Sequence, residues 1–200
     1  LGYSKDALVL LATAQWLLNL GYSAVPTLND TALAIPLAIQ AGLGEYGRHG
    51  MVITREFGPR VRFGKIFTNA PMAFDNQVEF GVTKFCEKCR KCTNACPPKA
   101  IPDGEPSPVK LNLSSISGVK KWSVDGEKCF SYWAKIVSDC MICMRVCPYN
   151  KDFTKFRHKI GLRLASTKLR NIMLMLNDFL GYGERLKPKL WWNGESRRKI

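Results

Sequence analysis

All eight cysteines of this 200-residue chain fall between Cys86 and Cys147, in two runs that share an ending. The first reads Cys86-x2-Cys89-x2-Cys92-x3-Cys96-Pro97. The second reads Cys129-x10-Cys140-x2-Cys143-x3-Cys147-Pro148, with its leading cysteine displaced upstream. In such a run three closely spaced thiolates cap one 4Fe-4S cluster, and the fourth, directed away by the proline turn, ligates another. Applied to both runs, that rule divides the cysteines uniquely. One cluster takes Cys86, Cys89, Cys92 and Cys147; the other takes Cys129, Cys140, Cys143 and Cys96. Any fold of this stretch must therefore bring the two runs together.

Competing uses of eight thiols fit less well. A disulfide framework suits a short secreted domain, whereas this chain has core residues in plenty. Zinc favours two separated pairs, and the Cys-Pro ending serves a bacterial ferredoxin-type cube better than a lone tetrahedral ion. No cysteine remains for nucleophilic work. Two adjacent clusters relay single electrons, and the question is what they feed.

With 46% hydrophobic and 23% charged residues, the chain is ordinary globular material. It begins at Leu1 without a charged leader and is read as a fragment or a processed product. The apolar run at residues 7–20 contains Thr13, Gln15 and Asn19 and is too short to span a bilayer, which needs roughly 20 apolar residues. The formal charge of +14 is assigned to solvation and to compensation of the anionic clusters, and nucleic acid is not the expected partner. Part of that charge lies at residues 155–170 and 185–199, which read as a solvated or membrane-facing surface.

Residues 1–74 read as mixed α/β. Ser4 is expected to cap a helix running to about Asn19, apolar on nearly every side and hence buried, with Gly21 ending it. An extended segment at residues 22–26 follows, then a helix capped by Asn29 or Asp30 in which Pro36 imposes a kink or a late start. Gly42, Gly44 and Gly47 match G-x-G-x-x-G, but that stretch follows a helix and precedes residues 51–68, which read as a hairpin. The context excludes a Rossmann site and leaves a tight loop that approaches a neighbour or ligand closely. Residues 101–108 are a polar connector between the cysteine runs. The stripe Leu169, Ile172, Met173, Leu176, Phe179 and Leu180 is assigned to packing, with Trp191 and Trp192 beyond it.

GYSAVP, NDTALAIPLAIQAGLGEYGRHG, ITREFGPRVRFGKIFT and the two cysteine runs together resemble the C-terminal half of the corrinoid-dependent reductive dehalogenases. The resemblance implies an α+β fold: the C-terminal part of a nitroreductase-like corrinoid-binding domain (residues 1–80), an inserted bacterial-type ferredoxin domain (81–152) and a basic helical tail (153–200). It implies reductive removal of halide from an organohalide, with electrons passing through the two clusters to a base-off corrinoid. It implies an upstream electron donor, a twin-arginine leader and a membrane anchor subunit at the outer face of the cytoplasmic membrane, with the leader and the N-terminal half absent from this chain.

Position by position, Tyr22 matches the family's proton-donating tyrosine, and Lys84, with Thr83 beside it, matches the cation that favours the phenolate left behind. His49 and Tyr149, with the loop glycines Gly42, Gly44 and Gly47, fall at cofactor- or substrate-lining positions. Two other readings compete. An epoxyqueuosine-reductase-like enzyme acting on transfer RNA would use the basic surplus, and a ferredoxin-like carrier would leave the residues before Cys86 unexplained.

Overall fold

The computed structural model describes residues 2–184; Trp191, Trp192 and the basic stretch 185–199 lie outside the described residues. The chain forms two compact units, Leu1–Gly44 with Val61–Val78, and Glu45–Arg60 with Glu79–Ile200.

In the first unit, helix α1 (Gly2–Asn19) is followed by Gly21 at φ +91, a conformation glycine adopts without a Cβ penalty. Ser4 falls inside the helix rather than at its cap. Leu10, Ala14 and Leu17 form one buried stripe, while Leu8, Val9, Leu11 and Trp16 are exposed, so the expectation of an all-round buried helix gives way to one covered face. What covers it is a two-stranded antiparallel sheet, β1 (Ala24–Thr27) against β4 (Lys65–Thr68), in register Ala24 to Thr68. A Cβ at Gly64 would lie 2.4 Å from Leu10 Cδ1, which fixes how closely helix and strand meet. Helix α2 (Ala34–Gln40) starts late, with Pro36 in its first turn where the missing N–H is not needed. Asp30 accepts from the Leu28 N–H instead of capping it.

The expected hairpin at 51–68 does not form. Strand β3 (Val52–Ile53) pairs backwards with β2 (Glu45–Tyr46), while β4 joins β1. Thr54 and Gly58 close a tight bend through two backbone hydrogen bonds, reinforced by Thr54 Oγ1, and Pro59, which has no N–H to give a ladder, follows at once.

The second unit adds helices α3 (Val82–Cys89), α4 (Lys91–Ala95), α5 (Gly126–Ile136), α6 (Ile142–Arg145), α7 (Phe156–Ser166) and α8 (Arg170–Phe179). Its core gathers Val52, Ile53, Val82, Phe85, Tyr149 and Phe153, and a second cluster joins Cys92, Cys96, Ala100 and Ile101 to Val124, Cys129, Cys143 and Val146. The stripe assigned to packing on α8 is mostly uncovered. Met173 is buried, but Leu169, Ile172, Leu176, Phe179 and Leu180 are exposed, because among the described residues α8 is covered along the edge that holds Met173 and Asn177. Among the described residues no helix is long and apolar enough to cross a membrane.

Candidate iron–sulfur centre

Helix α3 carries Cys86 and Cys89, and its N-terminus has no local cap. The cap comes from far along the chain. The buried carboxylate of Glu45 accepts from the N–H groups of Phe80 and Val82, satisfying donors that would otherwise be orphaned at a positive helix end. Arg90, in the left-handed region at φ +48, turns the chain from α3 into α4, which carries Cys92. Cys96 follows in extended backbone, φ −68 and ψ 115, as the residue before a proline must. In the second run, Asp125 caps α5 by accepting from the Lys128 N–H at 3.0 Å and so places Cys129. Cys140 lies in the loop after α5, Cys143 sits on α6, and Cys147 follows α6 directly before Pro148.

The thiols report their own neighbours. Burial pushes Cys147 well up, and Cys86, Cys89 and Cys92 add to the shift as like charges. Burial likewise raises Cys129, helped by Cys96 and Cys140, and lifts Cys143 to about 11, helped by Cys92, Cys140 and Cys129. Like charge is thus felt between Cys147 and the first run, between Cys129 and Cys96, and between Cys143 and Cys92. Burial also carries Cys86 to about 12 and Cys92 to about 11. Thiols so shifted become thiolates only beside compensating positive charge, which bound metal supplies. All eight cysteines are free.

A cavity of about 60 Å³ is lined by Cys96, Cys129, Cys140 and Cys143 together with His49, Ile101, Val124 and Trp133. Among the described residues no three Cys, His, Asp or Glu side chains converge closely enough to hold one ion. In a cube each thiolate binds a different iron, so its ligands stand farther apart than those of a single metal. The donor set fits two cubes.

Within the second unit, residues 45–50 of the glycine loop bind these pieces. Gly42 is at φ +68, where a Cβ would lie 2.5 Å from the Asn76 carbonyl; Gly44 is buried; a Cβ at Gly47 would lie 2.8 Å from the His49 ring. The close approach these glycines permit is to the chain's own atoms. Arg48, which sequence reasoning missed, is 1% exposed. Its Nε donates to the Cys86 carbonyl at 3.0 Å, and Nη1 lies 2.9–3.1 Å from the carbonyls of Pro102, Asp103 and Gly104. The guanidinium also stacks 4.6 Å over Trp122, and its charge favours the thiolates of Cys86, Cys89 and Cys92. The one available signal was a basic residue within a glycine loop.

His49 is buried, and burial pushes its pKa down to about 4, so the ring is neutral. Tyr149 is fully enclosed among Phe80, Phe85 and Phe153, its hydroxyl without a partner among the described residues and its pKa raised by burial and by Cys86 and Cys147. Lys84 is exposed on α3 in the second unit; Tyr22 is half-buried after α1 in the first, its N–H bonded to the Leu17 carbonyl at 3.1 Å.

Residues 85–150 match the model of a 4Fe-4S double cluster binding domain. Over 194 residues, 96% of the chain, the sequence is 36% identical to the tetrachloroethene reductive dehalogenase of Sulfurospirillum multivorans, covering 39% of that protein. It is 40% identical over 192 residues, 93% of the chain, to the tetrachloroethene reductive dehalogenase of Desulfitobacterium hafniense, covering 34% of it. A solved reductive dehalogenase, described with a mechanism for B12-dependent dehalogenation, superposes with a TM-score of 0.74 at 31% identity, over 86% of this chain and 25% of that one. The chain belongs to the reductive dehalogenase family. Epoxyqueuosine reductases match more distantly, that of Lactococcus garvieae at 30% identity over 134 residues, 64% of this chain and 36% of that protein. This reductive dehalogenase chain spans little more than a third of the length of its curated relatives, and what it contains of them is the segment with the double cluster motif.

Proposed function

We propose that the protein removes halogen reductively from an organohalide, with two 4Fe-4S clusters passing electrons one at a time to a corrinoid. The observation that carries the reading is the single cavity lined by Cys96 of the first run and Cys129, Cys140 and Cys143 of the second, and the proposal pairs Cys147 with Cys86, Cys89 and Cys92 in the same way. Ligands exchanged between runs in this way hold two clusters as close neighbours, the arrangement an electron relay needs. The remainder of the proposal is what the resemblance implies: a nitroreductase-like corrinoid-binding domain, a base-off corrinoid, a membrane anchor, an electron donor and twin-arginine export.

The corrinoid supplies the reducing cobalt centre. For that step this chain offers Tyr22, whose O–H would pass its proton to the carbon that loses halide, and Lys84 or Thr83 at the position where the family's cation favours the phenolate left behind. Gly42, Gly44, Gly47, His49 and Tyr149, which the resemblance puts at lining positions, are taken up by the chain's own packing. The deciding experiment reconstitutes the complete protein with iron, sulfide and a corrinoid, then measures halide release from chlorinated ethenes under a strong reductant. Halide with about eight irons and one cobalt per chain is the expected result. Absence of corrinoid uptake ends the dehalogenation proposal.

A further inference from the structure

We propose that His49 donates a hydrogen bond from Nε2 into the second ligand set, to a thiolate of Cys96, Cys129, Cys140 or Cys143 or to a sulfide of the cluster they hold, and thereby raises that cluster's reduction potential. The inference rests on the two-cluster reading. His49 is 6% exposed and lines the same small cavity as these four cysteines. Its Nδ1 accepts from the Met51 N–H at 3.2 Å, which puts the single hydrogen of the neutral ring on Nε2. That Nε2 is buried and has no hydrogen-bond partner among the described residues.

A buried donor left without an acceptor costs about 1–3 kcal/mol, and such groups are rare in folded proteins. An anionic cluster in the cavity supplies acceptors where the ring needs one. The ring is also held in place from behind, since the Gly47 backbone packs so closely that a Cβ there would lie 2.8 Å from His49 Cε1. Reduction adds one electron to the cluster and strengthens any hydrogen bond it accepts, so a fixed donor favours the reduced form. Arg48, the preceding residue, turns its charge toward the thiols of the first set. Adjacent side chains of one loop thus address both sets, one by charge and the other by a neutral N–H.

The test is a redox titration followed by electron paramagnetic resonance on the complete, anaerobically reconstituted protein, comparing the parent with His49→Phe and His49→Gln. In His49→Phe one midpoint is expected to fall by about tenfold in its reduction equilibrium, ~59 mV for a one-electron couple, while the other stays. His49→Gln, which keeps an N–H, should recover most of the shift. Unchanged midpoints in His49→Phe overturn the proposal, as does a Gln variant that shifts as far as Phe. If His49→Phe fails to take up full iron, the parent labelled with 15N-histidine decides: magnetic coupling of a ring nitrogen to one reduced cluster supports the bond, and its absence overturns it. Iron and sulfide analysis separates the two levels. Fewer than about eight irons in the parent removes the two-cluster reading itself, whereas full loading without a shift removes only the role of His49.

Discussion

Replacing Arg48 by Met removes a buried cation that ties together three separate stretches of backbone, and the cost is calculable. Nη1 has two hydrogens for the three carbonyls of Pro102, Asp103 and Gly104, so with the Nε bond to Cys86 three hydrogen bonds form at any moment. At the lower figure of about 1.5 kcal/mol for a bond to a charged group, these contribute ~4 kcal/mol. Methionine restores some packing on Trp122 but leaves the carbonyls unpaired. For a chain of this size ~4 kcal/mol corresponds to a fall in Tm of about 8–16 °C. Anaerobic calorimetry on the reconstituted protein measures it. Arg48→Lys keeps the charge but cannot span the fork of carbonyls, and should recover only a minor part. A transition within about 3 °C of the parent in Arg48→Met, with full iron, refutes this account of the loop.

Gly58 is at φ +59, and a Cβ there would lie 1.9 Å from the Tyr149 carbonyl, two residues beyond Cys147; Gly58→Ala should displace that ligand and lower iron from about eight toward four per chain, read by metal analysis. Tyr22→Phe should lose most turnover while keeping both clusters and cobalt, and an undiminished rate removes Tyr22 from the mechanism.

The double-cluster cysteine motif was legible because it rests on local spacing and on the proline that follows each run. Gly21 and the late start at Pro36 were legible for the same reason: glycine and proline restrict backbone near themselves. Glu45 and Arg48 were not. Both stand in a loop read as an isolated glycine motif, and their partners lie 35–56 residues further along the chain. The hairpin at 51–68 failed on pairing choice, since the strand character of Lys65–Thr68 was real but its partner was Ala24–Thr27. On α1 and α8 apolar periodicity marked the apolar face without saying how much of it is covered.

The chain passes from one unit to the other three times, after Gly44, Arg60 and Val78. No single cut releases either unit whole. A peptide of residues 81–152 would keep every cysteine yet forfeit Glu45, Arg48 and His49, and with them the helix cap, the bridge among carbonyls and the lone ring donor. Gene boundaries drawn round the metal ligands alone would therefore yield a polypeptide with its chelating side chains and without the scaffold that aims them.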